Sequence, residues 1–196
     1  MKKLPQILIG IGCLLLTASL ILFIFIFFPV AKVEISYNLN KPKATITEIK
    51  PVDKDFGIVI PKIGANSKVI ANVDPYNSNI YQIALTKGVA QAKGSALPDK
   101  IGSMFLFSHS SANILEAGRY NSIFYLLSKL EKNDEIYIYY KNVKYKYKVT
   151  DKKIVDAKDV SYLNPKSDVR TLILMTCWPA GTTYKRLLII AESKTN

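Results

Sequence analysis

The stretch Thr171–Ala191, TLILMTCWPAGTTYKRLLIIA, reads as two apolar, β-branched runs joined by a loop of Pro, Gly and Thr residues. The runs are Leu172–Thr176 and Leu187–Ala191, and Pro179 prevents the first from continuing as a strand. Cys177 follows directly on the first run, so it is expected at the mouth of the loop. Binding and catalytic residues concentrate at such positions, so the thiol is expected to meet a ligand rather than fill a core.

Two further side chains at element boundaries accompany this thiol. Arg186 begins the return strand, and its guanidinium is expected at the same loop mouth if the two strands pair. The single histidine, His109, follows the apolar run Met104–Phe107 and therefore lies at another strand end. A thiol becomes a nucleophile when a base stands beside it. One Cys, one His and one Arg at such boundaries predict a cysteine acyl-transfer site.

These motifs carry a family resemblance. The run Ile173–Cys177, with Arg186 beyond a Pro-x-Gly-Thr loop, resembles the TLxTC…R signature of sortases. His109, in the triplet FSH, resembles the sortase histidine, and the upstream segments Ile60–Gly64 and Gly88–Ala90 are similar to those that precede it in the family. The resemblance covers roughly residues 57 to 191, with the motifs in the family's order.

The resemblance implies a membrane-anchored cysteine transpeptidase. Such an enzyme cleaves a sorting motif of the LPxTG class in secreted proteins, and it would hold the acyl part as a thioester on Cys177. An amine of the cell wall or of a pilin would then release the acyl group. His109 would act as general acid and then general base, while Arg186 would hold the oxyanion or the substrate's carbonyls. Ile173 stands where the family usually has Thr, a difference inside the strand that bears on subclass rather than on reaction type.

The residues beside the thiol are the candidates for substrate binding. Thr176 is expected to hydrogen-bond substrate, and Trp178 to wall the groove for an apolar substrate residue. The alternatives are a simple strand threonine and a core tryptophan. Likewise, a lone cysteine such as Cys177 is often a small buried hydrophobe, and Arg186 alone is equally compatible with a surface ion pair. The serines around His109 lack a G-x-S-x-G context, which disfavours a serine hydrolase.

The protonation state of the site sets an expectation for its speed. With unperturbed pKa values of about 8.5 for the thiol and about 6.5 for the imidazole, the thiolate–imidazolium pair makes up about 1% of molecules near pH ~7.5. The enzyme is therefore expected to be slow unless Arg186 lowers the pKa of the thiol.

Length, charge and cysteine count limit the class of protein. The chain has 196 residues and a formal net charge of +12, which fits one domain with an appendage. The charge indicates either a solvated basic face or attraction to an anionic surface, and no nucleic-acid-binding motif is present. Two Cys and one His cannot build a structural zinc site. Carboxylates could still bind calcium, but EF-hand spacing is absent, and we expect neither metal nor cofactor. With Cys13 in the apolar N-terminus, a disulfide framework within the domain is excluded.

The N-terminus predicts a membrane anchor. Lys2 and Lys3 precede Leu4–Val30, 27 residues without a charge. This run exceeds both the ~20 residues that cross a hydrocarbon core and the ~7–15 residues of a signal-peptide apolar region. We therefore expect residues 1–30 to be an uncleaved span with its N-terminus inside. Residues 31–56 are expected to be a tether, with a short strand at Lys43–Glu48 or with part of it packed on the domain, and residues 57–196 the catalytic domain.

Short strand signals dominate that domain. The clearest is the hairpin Glu135–Tyr140 and Val143–Val149, in which lysines 144, 146 and 148 alternate with apolar residues to form a lysine comb on one face. Other runs are Gly57–Ile60, Lys68–Val73 and Lys152–Val155. We expect seven to eight strands in a closed or nearly closed sortase-like β-barrel with one or two short helices, behind the N-terminal transmembrane helix.

A predicted turn and a predicted helix interrupt the strands. Asp74–Asn79 is a turn cluster. Ile123, Leu126, Leu127 and Leu130 fall on one stripe of an α-helix that Asn121 or Ser122 would cap.

Three rival functions stay open on sequence alone. One is a plain cysteine protease. A second is a peptidoglycan L,D-transpeptidase-like enzyme, although such enzymes usually hold cysteine and histidine in one short segment, whereas His109 and Cys177 lie far apart. The third is a non-enzymatic tethered domain that binds envelope polyanions through its lysine comb.

Overall fold

The structure, a computed structural model, describes residues 3–39, 49–110, 123–163 and 166–193. It divides into two compact units, residues 1–40 and 41–196. The predicted strand at Lys43–Glu48, the helix caps Asn121 and Ser122, and most of the loop after His109 lie outside the described residues.

The first unit is one long helix, α1, Lys3–Leu39. Its window Ile7–Ile24 has a mean hydropathy of 2.8 and is long and apolar enough to cross a membrane. The helix continues past Val30 into the segment expected to be a tether.

The second unit is a closed eight-stranded barrel, which confirms the predicted fold class. The strands are β1 Phe56–Ile60, β2 Ala65–Val73, β3 Val89–Ala92, β4 Gly102–Phe107, β5 Glu135–Tyr140, β6 Val143–Asp156, β7 Arg170–Trp178 and β8 Lys185–Ser193. Their order around the barrel is β1-β2-β3-β4-β7-β8-β6-β5, closed by the β1–β5 pair. The pairs β2–β3 and β4–β7 are parallel, and the others are antiparallel.

Each strand of the β4-β7-β8 sheet has two buried faces. Because side chains alternate along a strand, Met104, Leu106, Leu172, Leu174 and Ile189 fill the barrel interior, each at most 1% exposed. The residues that alternate with these point outward and pack against the layer that covers the barrel. The outer-face cluster consists of Val73, Ala84, Leu85, Ala90, Ala92, Phe105, Phe107, Ile173 and Leu188. Helix α2, Ser78–Lys87, and the 3₁₀ helix Ser161–Leu163 cover this face.

Backbone geometry explains the glycines in the two upstream segments that resemble the family. In Ile60–Gly64, the 3₁₀ helix Pro61–Ile63 joins β1 to β2, and Gly64 ends it at a φ of 64°, in the left-handed region that favours glycine. Gly88 lies between α2 and β3, where a Cβ would collide with the Lys68 carbonyl oxygen of β2. Both glycines are therefore required by the backbone path.

Two helical segments differ from the sequence predictions. The cluster Asp74–Asn79 holds the expected turn, in which Asp74 Oδ1 accepts from the Tyr76 amide at 2.9 Å, but Asn77 then caps α2, which was not predicted. The apolar stripe is buried at Leu126, Leu127 and Leu130, yet it forms a short 3₁₀ helix, Tyr125–Lys129, rather than an α-helix. A short 3₁₀ helix is enough to bury the apolar side of this segment.

The lysine comb lies where it was predicted. Lysines 144, 146 and 148 are exposed, while Tyr147 and Val149 on the other face are buried. Val143, expected to be buried, is 51% exposed. The run Lys152–Val155 is part of β6 rather than a separate strand, since β6 passes from β5 to β8 through a bulge between Val149 and Asp151.

Candidate active site

Cys177 lies on the outer face of the barrel at the end of β7. The strand ends one residue later, at Trp178, because Pro179 follows through a cis peptide bond. In the β7–β8 ladder the cross-strand partner of Cys177 is Arg186. Directly opposite residues of an antiparallel pair have Cβ atoms about 4.5–5.5 Å apart on the same face. The pairing therefore brings the predicted thiol and guanidinium together.

The backbone around the β7–β8 loop holds the guanidinium. One terminal nitrogen of Arg186 donates to the Thr183 carbonyl at 3.0 Å and to the Lys185 carbonyl at 3.1 Å. Both acceptors belong to the loop and strand beside the thiol. The cation is thus fixed near Cys177 by main-chain oxygens and not by an acidic partner among these contacts.

His109 stands at the same end of the barrel. Strand β4 runs parallel to β7 with Phe107 opposite Met175, and the Ser108 amide continues the ladder by donating to the Met175 carbonyl at 3.2 Å. His109 and Cys177 each follow two residues after this pair, with His109 just past the end of β4. Neighbouring strands are about 4.8 Å apart, so the fold brings the three predicted catalytic residues to one end of the barrel.

Helix α2 contacts the imidazole. Gln82 Oε1 lies 3.1 Å from His109 Nε2. Sequence reasoning missed Gln82, because the segment that carries it was read as following a turn and not as a helix.

The side chain of Thr176 points into the barrel, whereas that of Cys177 lies on the outer face. It is 2% exposed, and its hydroxyl donates to the Ser108 carbonyl at 3.0 Å. The bond joins β7 to the residue directly before His109. Trp178 also alternates away from the thiol, with Lys185 as its cross-strand partner, and it is partly exposed. Substrate binding by these two residues stays a prediction.

The thiol is partly buried, and this sets its charge. Burial raises the pKa of Cys177 above its ordinary value, and the nearby Arg186 guanidinium only partly opposes this. The resting thiol is therefore mainly neutral, and the thiolate forms when a base removes its proton. Arg186 keeps the pKa from rising further but does not bring it below the ordinary value.

Tyr162 is a further residue near the site. Its ring stacks on Phe105 with centroids 5.8 Å apart. Burial raises its pKa, Arg186 opposes the shift, and Cys177 is among the smaller influences. The phenol therefore lies within electrostatic reach of both the thiol and the guanidinium. No sequence motif marks it.

In the part of the chain that the structure describes, no three His, Cys, Asp or Glu side chains group together as ligands for a metal ion.

Comparison with known proteins gives consistent likenesses. The sequence model of the Sortase domain matches residues 58–194. Sortase D of Bacillus subtilis (strain 168) is 29% identical over 139 residues, which are 69% of this chain and 62% of that protein. The chain thus spans less than two thirds of the length of this curated relative.

Solved structures share the fold. Sortase A from Corynebacterium diphtheriae is 25% identical with a TM-score of 0.60, over 76% of this chain and 64% of that one. Sortase C-1 from Actinomyces oris is 25% identical with a TM-score of 0.61, over 87% of this chain and 99% of that one. A Clostridium perfringens Sortase D5 transpeptidase, at 22% identity and a TM-score of 0.59 over 84% and 95%, shows likeness of fold alone.

Proposed function

The chain belongs to the sortase family, and from this premise we propose that it is a transpeptidase that acts through a thioester on Cys177. It cleaves an LPxTG-like sorting motif of a secreted protein and transfers the acyl part to an amine of the cell wall or of a pilin. The observation that carries the proposal is the cross-strand pairing of Cys177 with Arg186. The parallel β4–β7 register supports it, since Phe107 and Met175 are paired two residues before His109 and Cys177. Cysteine, imidazole and guanidinium at one barrel end supply a nucleophile, an acid–base group and an oxyanion donor.

The first half-reaction forms the thioester. As Cys177 Sγ attacks the scissile carbonyl carbon, the thiol proton passes to the neutral imidazole of His109, and the carbonyl oxygen becomes an oxyanion. The Arg186 guanidinium stabilises that charge. The imidazolium then protonates the leaving amine, the C–N bond breaks, and the acyl group stays on sulfur.

The second half-reaction reverses these roles. The acceptor amine attacks the thioester carbonyl while His109 removes its proton, and Arg186 again holds the oxyanion. When the C–S bond breaks, the thiolate takes the proton back from the imidazolium. Since the raised pKa of Cys177 makes the neutral thiol the resting form, proton transfer to His109 accompanies attack in each turnover.

The proposed location is the outer side of a membrane, with α1 as the span. The apolar window Ile7–Ile24 and the lysines ahead of it support this orientation. A protease added to intact cells is expected to digest residues 49–193 and leave α1 protected. Protection of the barrel would reverse the orientation.

The test of the reaction is mass spectrometry of the full chain in detergent with a library of sorting peptides and no amine. We expect one acyl adduct, on Cys177, that is converted to a ligated product when an amine is added. Cys177→Ala should give no adduct, and His109→Ala no turnover. Cys13→Ala is the matched control, since it removes the thiol in α1 and should leave the adduct intact.

The rival functions predict other outcomes. Hydrolysis with an adduct on Cys177 but no ligated product indicates a cysteine protease, whereas reaction only with peptidoglycan peptides indicates a cross-linking enzyme. No adduct, together with polyanion binding that survives Cys177→Ala and falls with salt, indicates a tethered binding domain. The lysine comb supports this last function weakly, because Lys146 pairs with Glu135 at 2.5 Å and Lys144 lies 4.2 Å from the Tyr137 ring.

A further inference from the structure

Helix α2 reaches the imidazole from outside the barrel. Asn77 caps its N-terminus by accepting from the Ile80 amide at 3.3 Å, and Ala84 and Leu85 bury themselves in the outer-face cluster. With one side anchored in this way, the helix carries Gln82 to a position 3.1 Å from His109 Nε2. The contact therefore joins a helix anchored on the barrel to the end of β4.

The atoms in this contact favour one of the two neutral forms of the imidazole. The Gln82 atom is the amide oxygen, which only accepts hydrogen bonds, so the contact is a hydrogen bond only in the tautomer in which Nε2 of His109 donates. A neutral imidazole that is protonated at Nε2 has its lone pair at Nδ1. A ring nitrogen has a single in-plane direction for a hydrogen bond, so Nε2 cannot exchange a proton with substrate while it donates to Gln82.

We propose that Gln82 is a positioning residue that holds His109 as the Nε2–H tautomer and so assigns proton exchange with the thiol and the amine to Nδ1. The assignment rests on the proposed function, in which His109 is the acid–base group. A neutral amide suits this task, because it orients the ring in both of its protonation states without the bias toward imidazolium that a carboxylate exerts.

The first experiment reads the tautomer directly. His109 is the only histidine of the chain, so a long-range ¹H–¹⁵N spectrum of the full, histidine-labelled protein in detergent contains one imidazole. At a pH where the ring is neutral, we expect Nε2 to be protonated and Nδ1 to be bare. Gln82→Met, which keeps the length and helix propensity but offers no amide, should give a mixture of tautomers.

Two further variants separate positioning from packing. Gln82→Glu still accepts from Nε2 and should keep the Nε2–H tautomer. Thr86→Ala removes an exposed hydroxyl one helical turn away, which donates to the Ile83 carbonyl at 2.7 Å, and should change nothing. An Nδ1–H tautomer in the unsubstituted chain, as an amide rotated by half a turn would select, overturns the proposal. So does a tautomer that persists in Gln82→Met.

The second experiment measures turnover with a sorting peptide and an amine. A positioned general acid–base group contributes about 10²–10⁴-fold to a rate, so partial loss of its positioning in Gln82→Met should lower kcat about tenfold with KM unchanged. Gln82→Glu should recover most of that loss. An unchanged kcat in Gln82→Met overturns the positioning role. If the tautomers behave as expected but no acyl adduct forms on Cys177, the proposed function fails and the Gln82–His109 contact stands.

Discussion

Cys177 and Arg186 are cross-strand partners in the β7–β8 ladder, on the outer face of the barrel. Main-chain carbonyls of Thr183 and Lys185 hold the guanidinium at 3.0 and 3.1 Å. The cation is therefore a fixed part of the thiol's surroundings rather than a mobile surface charge. It partly offsets the effect of burial, which raises the pKa of Cys177.

The first prediction concerns this charge. Arg186→Gln removes the cation, so the pKa of the Cys177 thiol should rise further above its ordinary value, because nothing then opposes burial. The pH profile of alkylation at Cys177, followed by peptide mass spectrometry that separates it from Cys13, should shift to higher pH. Loss of an oxyanion donor should also lower kcat about 10²–10³-fold.

The control for this experiment is Lys185→Gln. Lys185 is exposed and neighbours Arg186, but it pairs with Trp178 and alternates to the other face of β8. The Lys185→Gln substitution removes an equal charge and should shift the pH profile of alkylation at Cys177 little. Equal shifts in the two variants would mean that net charge, and not the position of Arg186, acts on the thiol.

The second prediction is a pH dependence of stability that comes from Tyr147. This residue is 1% exposed, and burial raises its pKa to about 12, whereas an unfolded tyrosine titrates near 10. Its contribution is full below pH ~10, where both states hold the proton, and falls as the pH rises toward ~12, because the unfolded chain ionises first. At about 1.4 kcal/mol per pKa unit, the contribution is up to about 3 kcal/mol.

Tyr147→Phe removes this contribution. The free energy of unfolding by urea, measured on the full chain in detergent between about pH 8 and 11, should fall less steeply in Tyr147→Phe than in the unsubstituted protein. Tyr184→Phe serves as the control, since Tyr184 is 76% exposed, and should reproduce the original slope. Parallel curves for all three proteins would contradict the assignment.

The third prediction concerns the β2–β3 irregularity that precedes α2. Asn72 has a φ of 57° where the register shifts between Ile70 and Val73. The buried Gln91 side chain accepts from the Asn72 amide at 2.7 Å and donates to the Ala92 carbonyl at 2.8 Å. Gln91→Leu keeps the burial but removes the acceptor of the Asn72 amide, whereas the Ala92 carbonyl still accepts from the Ser95 amide at 3.1 Å and from the Ser95 hydroxyl at 2.8 Å. One unsatisfied group costs about 1–3 kcal/mol, so the free energy of unfolding should fall by an amount in that range.

The test of this prediction compares two variants by urea unfolding. Asn72→Gly keeps the backbone amide and relieves the left-handed backbone, so it should not lower stability, whereas Gln91→Leu should. Hydrogen exchange in α2 should also speed up in Gln91→Leu, since this region leads into the helix. A free energy of unfolding within about 0.5 kcal/mol of the original would contradict this role of Gln91, because a change that small is typical of neutral surface substitutions.

The strand content of the barrel was predictable because β-branched and aromatic runs bounded by Pro and Gly are local signals. The same runs predicted Cys177 and His109 at strand ends, because the end of a strand can be predicted from the last residue of its apolar run. The relation between them was not local. It depends on the parallel β4–β7 register, Phe107 opposite Met175, which no nearby residue encodes.

The helix α2 was not predicted, and the reason is its composition. The segment SNIYQIALTK leaves Ile80 47% and Ile83 60% exposed and buries only Ala84 and Leu85. Tyr81, Ala84 and Leu85 form a short apolar stripe that packs on the outer-face cluster, but the exposed isoleucines beside it blur the periodicity. Gln82 was missed with it. The bulge of β6 likewise split one strand into two predicted runs, because an extra residue breaks the alternation at Thr150.

The fourth prediction concerns the bond that links the thiol's strand to the histidine. The Thr176 hydroxyl, 2% exposed, donates to the Ser108 carbonyl at 3.0 Å. Thr176→Val keeps the shape but removes the donor, which should destabilise the protein by about 1–3 kcal/mol and lower kcat, because the residue after Ser108 is the proposed acid–base group. Thr171→Val is the matched control: its hydroxyl contacts Ser167 Oγ at 2.8 Å at the far end of β7, so kcat should stay unchanged. Equal kcat in both variants would limit Thr176 to stability.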